Sequence, residues 1–405
     1  MDRVNPVPSP APADPGAEPR VRHSSRLELS QSAMRNNLEF VREQVGPHPR
    51  ISLVVKANAY GHGIAQAVAM ARRCGIDHFS VASGYEAQEV LAAAPDGAGV
   101  MVMGILHDED LPWVIENGVE FFVFDQSRLR KAAEVAGRTG KPAVIHVEVE
   151  TGGNRTGLPS EELPDVLKFI RANRARLIFR GVCTHLAGSE TLANRFRTSR
   201  QVDRFERLHD KLSRQVTRPE IFHMACSAVA LSMRDCAYDL IRLGVAAYGL
   251  WPSPDIFNLH LIRTTDGRQE NPLQRVLTWK TDVMHLKRVL KDEFVGYGTS
   301  YQAPKDMTIA VLPIGYSNGY PREMSNRGHV LIRGKKARVV GLVNMNVFTV
   351  DVSKIPDVQV GDEVVLVGRQ RNNVITLRSF SEFAHALNTE FVCRLPASIP
   401  RQIVR

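Results

Sequence analysis

A (β/α)8 barrel followed by a mainly antiparallel β domain is the α/β fold that this 405-residue sequence predicts. Three observations point there. Eight short apolar runs recur between residues 51 and 245. Helix-like stretches separate most of them, and strands alternating with helices imply parallel βαβ units. After about residue 262 the helical stretches stop, and strand-like runs follow one another directly.

The elements can be justified in order. Residues 1–25 hold six prolines with Ala, Ser and Gly, which predicts a disordered tail. Residues 26–29 read as a stray strand that joins the later β domain. The barrel segment is drawn at 26–262. Its strands are expected at 51–55, 78–82, 100–104, 121–124, 144–149, 177–183, 221–226 and 240–245. Helices are expected at 64–73, 86–93, 128–135 and 160–173. The strand runs are almost continuously apolar, as strands covered on both faces should be. Polar residues 263–274 read as a linker or loop, and the β domain is drawn at 263–405. Its strands are expected at 307–312, 329–333, 337–343, 347–352, 363–368 and 374–377, with one helix at 378–387.

Composition narrows the class. The net charge of +9 comes from Lys and Arg scattered among acids, without the basic block and interleaved aromatics of a nucleic-acid binder. A solvated basic surface that attracts anionic ligands explains it. Five dispersed cysteines form no C-x-x-C pair and no even framework, which predicts reduced thiols and a cytoplasmic setting. No apolar run reaches the roughly 18 residues of a membrane span, and no signal-peptide order is present. No H-E-x-x-H, paired Cys/His cluster or acidic loop predicts a metal.

Barrel chemistry sits at the C-terminal ends of the strands. Lys56 ends the first. Glu148 and Arg155 belong to the fifth and its loop, His185 follows the sixth, and Ser227 follows the seventh. Arg242, Gly244 and Val245 close the eighth. Lys56 follows a strand run with four apolar residues, Ile51, Leu53, Val54 and Val55, so its ammonium is partly desolvated and readied for Schiff-base chemistry, or else it merely snorkels from a strand end. Ser227 and the Gly244-Val245 turn offer either a phosphate site or ordinary loop chemistry. His185 is an acid, base or relay, or a structural histidine. Arg155 is a bidentate carboxylate clamp or a surface ion pair. The β domain adds Tyr297, Tyr316 and Met345.

One run is more specific. Val54-Val55-Lys56-Ala57-Asn58-Ala59-Tyr60-Gly61-His62-Gly63 resembles the lysine signature of alanine racemases, enzymes that use pyridoxal phosphate (PLP). Other landmarks follow in the same order. Glu150-Thr151-Gly152-Gly153-Asn154-Arg155-Thr156-Gly157 resembles that family's "DTGMxRxG" run. Thr184-His185-Leu186-Ala187, Ser227-Ala228, Arg242-Leu243-Gly244-Val245-Ala246-Ala247-Tyr248-Gly249, Gly296-Tyr297-Gly298 and Gly315-Tyr316-Ser317-Asn318-Gly319-Tyr320 complete the series.

The resemblance implies a homodimer with shared active sites, a small amino-acid substrate, and D-alanine as the product supplied. It implies that Lys56 holds PLP as a Schiff base and serves as one catalytic base. The partner subunit's Tyr297 would be the opposite base, oriented by His185 through a chain reaching Arg242. Arg242 would face the pyridine nitrogen. Tyr60, Ser227, Gly244 and Val245 would hold the phosphate. Arg155 and the partner subunit's Met345 would hold the substrate carboxylate, with Tyr316 in support.

Three departures stand out. Glu148 replaces a lysine that many members carbamylate, so a Glu148–Arg155 pair is expected. "CMD" reads Asn344-Met345-Asn346, and "GYADG" reads Gly315-Tyr316-Ser317-Asn318-Gly319, which leaves neutral amides at Asn346 and Asn318. Ala397 stands where a tyrosine is usual. These departures keep a broad-specificity racemase of larger amino acids such as lysine, arginine or serine open beside alanine. A decarboxylase of the same fold is disfavoured because it would place an acid where Arg242 stands. A non-catalytic PLP-binding barrel would lack the β domain.

Overall fold

A computed structural model describes residues 21–264, 271–380 and 388–405. Most of the proline-rich tail, the middle of the 263–274 segment and residues 381–387 of the expected helix lie outside them. The chain folds into two sheets. Strand β1 (Ser25–Ser30) comes first, and then the barrel strands β2 (Arg50–Val54), β3 (His78–Ser83), β4 (Gly99–Ile105) and β5 (Glu120–Val123). β6 (Ala143–Glu148), β7 (Leu177–Cys183), β8 (Ile221–His223) and β9 (Leu240–Leu243) follow.

All barrel pairings are parallel, in the order β8-β7-β6-β5-β4-β3-β2-β9. A parallel bridge between Cys226 and Arg242, with the Arg242 N–H donating to Ala225 O at 3.0 Å, brings β8 to β9 and nearly closes the ring. The predicted barrel is therefore present, strand for strand. The last two strands are shorter than their apolar runs: helix Ser227–Ser232 follows β8, and after β9 the chain turns at Gly244 into a 3-10 helix, Val245–Tyr248.

Local signals explain the helices. Ser83 and Asp125 accept the N–H groups of Glu86 and Arg128 and so cap Gly84–Ala93 and Gln126–Thr139. Helices without a counterpart in the sequence reading include Gln31–Val45, Leu111–Glu116, Arg195–Ser213, Ser227–Ser232, Pro254–Arg263 and Asn388–Cys393. Arg195–Ser213 is 19 residues long and buries only Thr198, Gln201, Phe205 and Leu212. So narrow an apolar stripe leaves little period to read.

The second sheet contains β10 (Leu277–Asp282), β11 (His285–Val289), β12 (Met307–Leu312), β13 (His329–Ile332) and β14 (Lys335–Val339). β15 (Phe348–Asp351), β16 (Glu363–Gln370), β17 (Asn373–Ile375) and β18 (Arg401–Val404) complete it. Its order is β11-β12-β15-β14-β13-β16-β10-β1-β18, with β17 on β16. Every pair is antiparallel except β1 with β18. β1 alternates buried and half-buried residues, the period-two pattern of a one-sided sheet, and it lies between β10 and β18.

The two sheets share one core. Helix Gln31–Val45 carries the chain from β1 to the barrel, and its buried Asn37 donates to Ala247 O and Gln274 O at 3.1 and 2.7 Å. Trp279, Tyr320, Phe348, Phe380 and Phe391 pack as an aromatic cluster in the second domain. Helix Asn388–Cys393 presses that cluster onto the segment after β2. Gly61, at φ +77°, sits so close to it that a Cβ would lie 1.9 Å from Val392 O. Gly61→Ala is thus expected to destabilise the chain by about 2 kcal/mol or more through strain and clash together. Urea unfolding of the purified variant checks this.

Candidate active site

Lys56 owes its place to a strained turn. β2 is buried and ends at Val54; after it, Ala57, Asn58, Ala59 and Tyr60 all have φ between 50° and 53°. Four consecutive L-residues in the left-handed helical region cost about 1–2 kcal/mol each. The surroundings hold them there. Glu86 accepts the N–H groups of Ala57 and Ala82, each at 2.7 Å. Asn58 Oδ1 accepts from Ile64 N at 3.1 Å. His62 Nδ1 lies 3.0 Å from Ala59 O and 2.9 Å from Tyr60 O, so it must donate to the turn's own carbonyls. The His62 ring packs on Tyr248, whose hydroxyl donates to Val54 O. Arg401 Nε donates to Gly61 O from the second domain.

The turn aims Lys56 into a cavity of about 470 Å³ at the C-terminal end of the barrel. Lys56, Tyr60, Glu148, Arg155, His185, Ser227, Arg242, Gly244 and Val245 all line it, so the structure gathers nine predicted site residues in one place. Lys56 opens to the cavity but is walled by protein. Burial first, and then Arg155, lowers its pKa against the pull of Glu86. His185 is lowered to about 3 by burial and by Arg242, Arg155 and Lys56, so it stays neutral above mildly acidic pH. Burial raises Glu148, although a hydrogen bond from Thr156 and the charges of Arg242 and Arg155 oppose the rise. Among the described residues no ion pair joins Glu148 to Arg155, so the expected direct contact is replaced by action at a distance across the cavity. Glu150 serves its own loop: its carboxylate accepts from the N–H groups of Gly152, Gly153 and Asn154 and shapes the approach to Arg155.

The wall made by β8 and β9 supplies a different geometry. Ser227 Oγ gathers the N–H groups of Gly244 and Ala246 at 3.1 and 3.4 Å. A Cβ on Gly244 would lie 2.6 Å from the Tyr60 hydroxyl. Two hydroxyls and two backbone donors thus share one corner, and a phosphate fits that donor set. Arg242 is buried and heavily committed. Nη1 donates to His223 Nδ1 at 2.5 Å and to His223 O at 3.2 Å, and Nη2 donates to Thr184 O at 2.7 Å. A guanidinium has five N–H groups, so two remain.

Tyr297, Tyr316 and Met345 are not brought to Lys56 within one chain. They lie on the second domain, 74%, 42% and 55% exposed, and none lines the cavity. The loops carrying Tyr316 and Met345 meet, with Ser317 donating to Met345 O from both N and Oγ. Ala397 also lies outside the cavity, beside Asn58 and Gly63. Sequence reading missed His223, which grips Arg242, and His62, which clamps the turn. A histidine inside an otherwise apolar barrel run was the available signal for the first.

Comparison with known proteins identifies the family. The family model for the alanine racemase N-terminal domain matches residues 29–252, and that for the alanine racemase C-terminal domain matches 276–403. The chain belongs to the alanine racemase family. Within the family, the alanine racemase of Desulforamulus reducens is 33% identical over 92% of this chain and 97% of its own. That of Halothermothrix orenii is 31% identical over 95% and 97%. The solved alanine racemase of Streptomyces coelicolor superposes with a TM-score of 0.84 at 28% identity, covering 94% of this chain and 98% of that one. A histidine racemase from Leuconostoc mesenteroides superposes with 0.83 at 27% identity and the same coverage.

The clamp on the turn generates a pH prediction. Burial depresses His62 to about 4, against 6.5 when unfolded. The unfolded chain therefore binds the extra proton between those values. The stabilisation is present above pH 6.5 and is lost as pH falls toward 4. The urea midpoint is expected to drop from pH 7 to pH 5, and His62→Gln should flatten that drop.

Proposed function

We propose that this amino-acid racemase interconverts L- and D-alanine with bound pyridoxal phosphate, by a two-base mechanism. The observation that carries the reading is one cavity that faces Lys56, on its strained turn, against a phosphate-shaped corner and a buried arginine. Lys56 would hold the cofactor. Tyr60, Ser227, Gly244 and Val245 would hold its phosphate, and Arg242 would face its ring nitrogen. The cofactor would supply an electron sink conjugated to the substrate Cα.

The chain's own groups do the rest. Lys56, with its lowered pKa, takes or returns the Cα proton on one face. The partner subunit's Tyr297 serves the other face, because inversion requires the proton to leave one side and return to the opposite one. Neutral His185 orients that phenol without adding charge. Arg155 grips the substrate carboxylate, with Glu148 balancing the local positive field and the partner subunit's Met345 beside it. Arg242 cannot give up its proton, so it would offer the ring nitrogen only a donor, which would leave that nitrogen unprotonated and restrain the sink. Exposure of Tyr297, Tyr316 and Met345 supports a homodimer whose partner's cavity takes them up. Five free thiols support a cytosolic setting, where the enzyme would supply D-alanine.

A second reading, racemisation of larger amino acids, is favoured by the likeness to a histidine racemase and by the neutral Asn318 and Asn346. Chiral chromatography after incubation with single L-amino acids decides between them. Turnover of alanine at the highest kcat/KM supports the first, and absence of alanine turnover beside that of another amino acid removes it.

Two predictions follow from the shared site. Lys56→Ala and Tyr297→Phe homodimers should each be nearly inactive. Unfolding and refolding them together should restore about a quarter of wild-type activity, since half the dimers then carry one intact site. No recovery would exclude sharing. Arg155→Lys keeps the charge but loses the planar fork, and is expected to raise KM about tenfold with a smaller effect on kcat.

A further inference from the structure

Below the cavity, the barrel interior is not simply apolar. Met101, Phe122, Cys183 and Leu240 form a small cluster there, and a hydrogen-bonded polar chain runs beside it. Arg242 Nη1 reaches His223 Nδ1 at 2.5 Å, His223 Nε2 reaches His146 Nδ1 at 2.9 Å, and His146 Nε2 reaches Glu120 Oε2 at 2.6 Å. Glu120 begins β5, toward the barrel face opposite the cavity. A second arm joins it from Ser80 to Ser52 at 2.5 Å, from Ser52 to His78 at 2.8 Å, and from His78 to Glu120 at 3.5 Å. Arg180 approaches the other carboxylate oxygen at 3.7 Å.

The fold makes room for this chain. A Cβ on Gly181 would lie 2.3 Å from His146 Nδ1, and one on Gly99 would lie 2.5 Å from His78 Cδ2. Both glycines sit at strand positions that could otherwise hold a larger residue. The side chains of His146 and His78 are 0% and 1% exposed, and that of Glu120 is 15% exposed.

The ends of the Arg242 arm dictate its direction. A guanidinium only donates and a carboxylate only accepts. Two neutral imidazoles between them have one consistent arrangement. Arg242 donates to His223 Nδ1, His223 Nε2–H donates to His146 Nδ1, and His146 Nε2–H donates to Glu120. Burial lowers both histidines, which keeps them neutral. Burial also pushes Glu120 upward, but the two histidine contacts outweigh it and hold the carboxyl below the usual range.

We infer that Glu120 is a positioning residue for Arg242: it fixes the tautomers of His146 and His223 and so presents Nδ1 of His223 as the acceptor that aims the guanidinium. This rests on the proposed role of Arg242 at the cofactor ring.

The test uses the full-length chain, with and without added pyridoxal phosphate. Two-bond proton–nitrogen spectra of the histidine-labelled protein report each tautomer, with assignments from His146→Gln and His223→Gln. Wild type is expected to show both residues as neutral Nε2–H forms at neutral pH. Glu120→Met removes the acceptor at similar volume. It should abolish the uniform Nε2–H signals and lower kcat about tenfold with KM nearly unchanged. Glu120→Gln keeps an acceptor oxygen and should restore the His146 and His223 signals and most of kcat. Ser52→Ala cuts only the other arm and should leave both tautomers as in wild type. A wild-type Nδ1–H or cationic form at either histidine overturns the inference. So do unchanged tautomers in Glu120→Met, or an equal kcat loss in Glu120→Gln. The spectra need no substrate, so they stand or fall apart from the assay of the proposed reaction.

Discussion

Everything at the site depends on four residues being held in a backbone conformation they would not choose. Ala57, Asn58, Ala59 and Tyr60 form a left-handed turn without a glycine among them. Its cost is repaid only because Glu86, Asn58, His62 and Arg401 satisfy its polar groups, and because the second domain closes over Gly61. The strain has a structural purpose. A right-handed turn at this point would carry the chain away on another path. The left-handed one brings Lys56 and Tyr60 to the same cavity, with Tyr60 packed against Tyr248 and beside Gly244.

The second domain is therefore a support as well as a separate sheet. Its strand β1 opens the described chain, and helix Gln31–Val45 then enters the barrel. β18 returns beside β1 and brings Arg401 to the lysine turn. Pairing β1 with β18 in one sheet lets the domain brace the lysine turn alongside the barrel's own Glu86 and His62.

The cavity carries an excess of positive charge: Lys56, Arg155 and Arg242 share its lining with two carboxylates, Glu148 and Glu190. A site of this kind suits a ligand with a phosphate and a carboxylate. Burial first, and then this positive charge, lowers Lys56 and His185, so both are neutralised more readily than in water. The polar chain beneath Arg242 fixes the least adaptable member of the set.

The barrel's strand count was legible because parallel strands buried on both faces leave continuous apolar runs, and the later β domain because strand-like runs there follow one another without helices. Nine cavity residues were legible because a barrel places its strand ends on one rim, and because the motif around Lys56 is long. Helix Arg195–Ser213 was not, since its stripe is thin. Strands β10, β11 and β18 were not, since short one-sided strands alternate with polar residues that look like loop. By itself the sequence determined the fold, the rim residues and the family they resemble, because these rest on local pattern. Only the tertiary structure decided that Glu148 acts across a gap, that Ala397 stays outside the cavity, and that His62 and Glu120 brace Lys56 and Arg242. Those outcomes depend on contacts between residues up to hundreds of positions apart, whose distances no local pattern encodes.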